Sequence, residues 1–145
     1  MADRSAAYVD EADIRLTLPA RPENVAVVRH VIGALAEAIG LEAAVIADMR
    51  LAVTEACTNV VRHAYVDDDG TIDVVVRPRG ETVEVVVADE GRGLDPSPDT
   101  AGPGLGMSLI AALADSVEVQ RDNARGSRLA MRFARSRTSP AMGMA

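Results

Sequence analysis

Apolar and polar residues alternate over "ADIRLTLPA" (12–20), where Ile14, Leu16 and Leu18 share one face and Pro19 closes the run. A period of two is the mark of a half-buried strand. The period then changes. In "RPENVAVVRHVIGALAEAIG" (21–40), Val25, Val28, Ile32, Leu35 and Ile39 recur at steps of three and four, which predicts a helix with one apolar stripe. Pro22 suits its first turn, Glu23 its positive end and Gly40 its C-terminal cap. A second helix is expected from Glu42 to Tyr65, closed by the turn "VDDDG". The Val-rich runs 71–79 and 81–89 flank Gly80 and read as an antiparallel hairpin. "EGRGLDPSPDTAGPG" (90–104) reads as a long loop, and "LGMSLIAALAD" (105–115) as a short apolar helix. "SVEVQRD" and "SRLAMRFAR" are two more strands around a turn containing Gly126.

The predicted order is β-α-α-β-β-α-β-β. Two of its strand pairs are hairpins, so βαβ units are ruled out. The expectation is an α+β fold, a two-layer α/β sandwich with one mostly antiparallel sheet and its helices on one face. One domain is expected over residues 12–134, between a flexible N-terminus (1–11) and a flexible C-terminal tail (135–145).

The 145 residues suffice for one real core, and 48% of them are hydrophobic. With no Trp and a single Phe, that core must be built from Val, Leu, Ile, Ala and Met. No apolar run approaches the ~20 residues that cross a bilayer, and the N-terminus lacks the apolar centre of a signal peptide. Neither a membrane nor secretion is expected. The lone Cys57 excludes an internal disulfide and fits a reducing, cytoplasmic setting. A net charge of −7 argues against direct binding to nucleic-acid phosphates and leaves a basic protein partner open.

All 15 basic residues are Arg. Without Lys there is no Walker A loop and no eukaryotic-type kinase strand. Other motifs fail on spacing. An EF-hand around Gly70 would need an acid at Tyr65 and Glu at Val76. Gly91 and Gly93 lack the third glycine of a dinucleotide fingerprint, because position 96 is Pro. Cys57 and His63 have no partners at zinc spacing.

Three stretches carry chemistry. In "LAVTEACTNVVRHAY" (51–65), Glu55, Asn59 and His63 stand four apart. Four helical residues return to within ~40° of the same direction, so the three share a stripe. That stripe is a solvated polar face or the wall of a cleft. In "VVVADEGRGLD", a strand runs into Asp89 and then Gly91 and Gly93, which reads as an Asp-Gly turn or as backbone kept bare for a ligand. In "GPGLGMSLIAALAD", a glycine-rich loop enters a helix, whose free N–H groups and dipole can hold phosphate without Lys.

Taken in this order, E-x-x-x-N, D-x-G-x-G and G-x-G-L-G, with Gly126-Ser127 later, the chain resembles the GHKL (Bergerat-fold) ATPase superfamily, which includes gyrase, histidine kinases and MutL. The likeness covers residues 12–134. Within the superfamily it is most similar to the small bacterial anti-sigma factor serine/threonine kinases, including the His-Ala-Tyr ending of the first motif. The reading takes the lack of a preceding phosphoacceptor helix as weighing against a histidine kinase, and the lack of a following transducer domain as weighing against gyrase and MutL.

The resemblance implies ATP and Mg²⁺ as cofactors. It implies Glu55 as the base for an incoming hydroxyl, Asn59 as the Mg²⁺ ligand, and Asp89 as the reader of the adenine amino group. Gly91 and Gly93 would admit the base and ribose. Gly104, Leu105 and Gly106 would close on the phosphates. Ser127, where the family more often has Thr, would contact adenine through water. Arg62, His63 and Arg92 stand as unranked charge partners. The implied protein partners are an anti-sigma factor antagonist, phosphorylated on serine or threonine, and a sigma factor, and such proteins often form homodimers. A partner-sequestering ATP module without kinase activity, or a detached histidine-kinase-type ATPase domain, would carry the same motifs.

Overall fold

The computed structural model describes residues 12–64, 70–91, 105–122 and 126–137. Strand β1 (Ile14–Pro19) shows the expected alternation, with Ile14, Leu16 and Leu18 packed against the core and Arg15, Thr17 and Pro19 exposed. Helix α1 (Pro22–Ala38) starts on Pro22 and buries Val25, Val28, Ile32, Gly33 and Ala36. It ends in a Schellman motif: the Gly40 N–H donates to the Glu37 carbonyl (3.1 Å) and the Leu41 N–H to the Ala36 carbonyl (3.0 Å).

Helix α2 (Ala43–Asn59) buries Val45, Ile46, Met49, Ala52, Val53, Ala56 and Cys57. Here the structure departs from the pattern. The α-helical ladder stops at Asn59, and Val60–Ala64 form a wider π-type turn. The backbone leaves 3.6-residue rotation between Asn59 and His63, so the four-residue stripe ends at Asn59. The side chain of His63, together with Tyr65 and the acidic turn up to Asp69, lies outside the described residues.

Strands β2 (Thr71–Arg79) and β3 (Thr82–Asp89) form the expected hairpin. Helix α3 (Leu105–Leu113) follows, then β4 (Ser116–Asp122) and β5 (Gly126–Ala134). The five strands make one sheet in the order β1-β2-β3-β5-β4, and every described pair is antiparallel. β5 thus inserts between β3 and β4, which brings the end of β3 beside the start of β5.

The register sorts the sheet into two faces. Ile72, Val74, Val76, Val83, Val85, Val87, Met131 and Phe133 join the helices in one core. A two-layer α+β sandwich results, with its helices on one side. The other face is charged: Arg15 pairs with Asp73 (3.3 Å), Arg77 with Glu84 (3.5 Å) and Arg79 with Asp13 (2.9 Å). The hydrogen bond from Arg79 holds the Asp13 carboxyl below its ordinary pKa. Such solvated pairs add little stability.

Past β5 the chain stays bonded. Arg135 donates to the carbonyls of Gly80 (2.5 Å) and Ile39 (2.8 Å), and the Arg137 N–H donates to Glu42 (2.7 Å). Residues 135–137, assigned to the tail on sequence alone, therefore tie the β2–β3 turn to the helices. Residues 1–11 and 138–145 lie outside the described set. Among the described residues, no helix is long and apolar enough to cross a membrane.

Candidate functional site

Asp89 ends β3 on the helix-facing side, because it continues the alternation of Val83, Val85 and Val87. It is the one charged residue buried in the described core, at 6% exposure. A buried carboxylate needs donors, and among the described residues it has two. The Ser127 hydroxyl donates to Oδ2 (2.7 Å) and the Gly91 N–H to Oδ1 (2.9 Å). Ser127 is the register partner of Asp89, so strand order supplies this bond directly. The bond leaves the hydroxyl oxygen able to accept from a water, as the expected water-mediated contact with adenine requires. A carboxylate has about four acceptor positions, so the clamp leaves Asp89 able to accept a donor from a ligand.

Gly126 makes the juxtaposition possible. It holds φ at +101°, and a Cβ there would run into the Asp89 carbonyl oxygen and stand 2.8 Å from Glu90 Cα. Only glycine admits both the backbone angle and the approach.

The other half of the site is helical. A Cβ on Gly106, in the first turn of α3, would lie 3.3 Å from Asn59 Nδ2 and 3.5 Å from Glu55 Oε1. The bare backbone of α3 thus rests against both polar residues of α2. Glu55 and Asn59 are half-buried, each on the flank of a helix whose apolar residues face the sheet.

Between the halves lies an open cleft, of which about 80 Å³ is enclosed space. Ala56 and Val60 of the α2 side, Met107 of α3, and Val87, Leu129 and Val119 of the sheet line it with apolar surface. Asn59, Asp89 and Ser127 add polar groups, and Arg121 and Arg128 stand at the β4–β5 side. An apolar slot with a few convergent polar groups is the usual form of a small-molecule site. Glu55 is not part of the lining and sits one turn back, against Gly106.

The structure therefore brings Asn59, Asp89 and Ser127 to one cleft, with Gly91 bonded to Asp89 and with Glu55 and Gly106 meeting beside Asn59. Leu105 opens α3, with its side chain outside the described residues, where Gly93, Gly104 and Arg92 also lie. Arg62 is exposed on the π-type turn and does not line the cleft. Sequence reasoning missed the apolar lining. Alternation on β3 and β5 points to Val87 and Leu129, and helical spacing to Ala56. Arg121 depends on the register of β4 against β5. Cys57 is buried, which pushes its thiol up to about 12, so it is chemically inert. Among the described residues no three His, Cys, Asp or Glu side chains gather to hold a metal by themselves.

Comparison with known proteins agrees with this geometry. The histidine kinase-like ATPase domain family matches residues 18–133, and the chain belongs to that family. The fold is thus that of an ATP-using ATPase/kinase domain. The serine-protein kinase RsbW of Halalkalibacterium halodurans is 37% identical over 125 residues, covering 76% of this chain and 76% of the relative. RsbW of Bacillus cereus is 33% identical over 124 residues, covering 75% and 78%. This places the chain among the serine-protein kinases of the family. A crystal structure of the RsbU and RsbW domains of a Mycobacterium tuberculosis protein shares the fold, with a TM-score of 0.69 over 86% of this chain at 23% identity. This chain spans 32% of that longer one.

Proposed function

We propose that the protein is a cytoplasmic serine/threonine kinase that transfers phosphate from ATP to an anti-sigma factor antagonist, and that it binds a sigma factor when that antagonist is absent or phosphorylated. The observation that carries the reading is the meeting of Glu55 and Asn59 with the bare backbone of Gly106, beside a cleft that Asn59 itself lines. The partner classes come from the family resemblance and from relatives named as serine-protein kinases. Homodimerisation belongs to the same reading.

On this reading the adenine lies in the apolar slot, with its amino group donating to clamped Asp89. The amino group favours adenine over guanine, which presents a carbonyl at that ring position. The phosphates extend toward the start of α3, where the first-turn backbone N–H groups and the helix dipole favour negative charge. That end suits a chain without Lys. Gly93, Gly104 and Leu105 would complete the enclosure. Mg²⁺ suits the donor set: the Asn59 carboxamide oxygen would be its protein ligand, with phosphate oxygens and water for the rest, and the ion would supply neutralisation of phosphate charge. Glu55 accepts the proton of the partner's hydroxyl. The freed oxygen bonds to the γ-phosphorus, the bond to the bridging oxygen breaks, and ADP leaves. The phosphate gives the partner about two negative charges at the interface, which drives it off an acidic surface.

The test is transfer of radiolabel from ATP to a co-encoded antagonist protein. Glu55→Ala is expected to lower transfer by at least 100-fold, in line with loss of a general base, while ATP affinity changes little. Normal transfer by this variant rejects the assignment. ATP-dependent partner capture with no phosphoprotein would instead favour a sequestering module.

A further inference from the structure

Arg121 occupies a place in the cleft that no motif accounts for. Its register partner across β4–β5 is Ser127, whose partner across β3–β5 is Asp89. The three residues form one row across the sheet. Two strand spacings separate its ends, or roughly 10 Å between Cα positions. They also share a face. Val117 packs against the core and Val119 lines the cleft, so alternation turns Arg121 to the same side.

The β4 wall is the open side of the slot. Val119 is 42% exposed although it lines the cleft, and Arg121 beside it is exposed too. Among the described residues Arg121 has no ion pair, whereas Arg15, Arg77, Arg79, Arg132 and Arg137 all have one. Among the described residues its guanidinium is thus without an ion-pair partner, at the rim of an apolar slot, in line with the buried carboxylate. The phosphate end lies elsewhere, where α3 rests on Asn59 and Glu55.

We infer that Arg121 is a specificity-determining residue of the base end of the cleft: its planar guanidinium closes over the exposed part of a bound purine that Asp89 reads from the inner side. Guanidinium groups stack on aromatic faces, and Lys does not reproduce that geometry. The contribution belongs to the ring and is independent of the number of phosphates. This inference rests on the nucleotide reading above.

Calorimetric titration of the full chain with adenosine, ADP and ATP, in the presence of Mg²⁺, separates the two. Arg121→Ala should weaken all three by a similar factor, about five- to tenfold, and Arg121→Lys should recover little of it. Arg132→Ala, on the charged outer face, serves as the control and should bind as the parent does. Losses that grow from adenosine to ATP and are rescued by Lys would overturn the inference in favour of a phosphate contact. Unchanged affinities in Arg121→Ala, with normal binding by the parent, would overturn it outright. A parent chain that binds none of the three would reject the nucleotide reading itself and this inference with it.

Discussion

Asp89 shows how one side chain depends on residues far along the chain. Its two donors come from Gly91, two positions on, and from Ser127, 38 positions on. Hydrogen bonds to a charged group are worth about 1.5–3 kcal/mol each. Removing one leaves a buried carboxylate less well held and, on the proposed reading, freer to turn from the base. Ser127→Ala should therefore weaken ATP binding about tenfold by calorimetry, whereas Ser127→Thr, which keeps the hydroxyl, should bind within about threefold of the parent. Equal loss in both would argue against the hydroxyl. At this scale the sequence was partly legible. "ADEGRG" marked Asp89 and Gly91, because strand-to-glycine transitions are local. The Ser127 bond was not visible, because it depends on which strand pairs with β3.

Helix α2 and helix α3 bring Glu55 and Asn59 against Gly106. Gly106 is one contact between them, and its backbone angle is one any residue adopts. Alanine there is a better helix former by up to about 1 kcal/mol. Its methyl group, however, would crowd the Asn59 amide and touch Glu55. Gly106→Ala should therefore keep or raise the melting temperature while lowering phosphotransfer about tenfold. Parallel losses of stability and activity would show that the glycine serves packing instead. The periodicities located all the helices and strands, since amphipathic stripes and alternation are properties of consecutive residues. They did not disclose the end of α2. Its ladder turns π-type at Val60 although nothing in "NVVRHA" breaks a helix locally, so no pattern of neighbouring residues marks the change of winding.

Across the whole molecule, the layers are joined at the edge opposite the cleft by Arg135, which bonds Gly80 of the hairpin turn and Ile39 at the end of α1. Arg135→Ala should lower the unfolding free energy by about 2 kcal/mol in urea titrations and leave nucleotide affinity unchanged, since neither carbonyl touches the cleft. An affinity change without a stability change would contradict this. By itself the sequence determined the element order, the α+β class, the apolar stripes of the core and the three motifs of the site, because each is written in neighbouring residues and their spacing. Tertiary structure alone decided that β5 lies between β3 and β4, and with that the Ser127 bond, the close approach of Gly126 and the row that ends in Arg121. Strand order follows from the joint burial of all the apolar faces at once, and no local pattern encodes it.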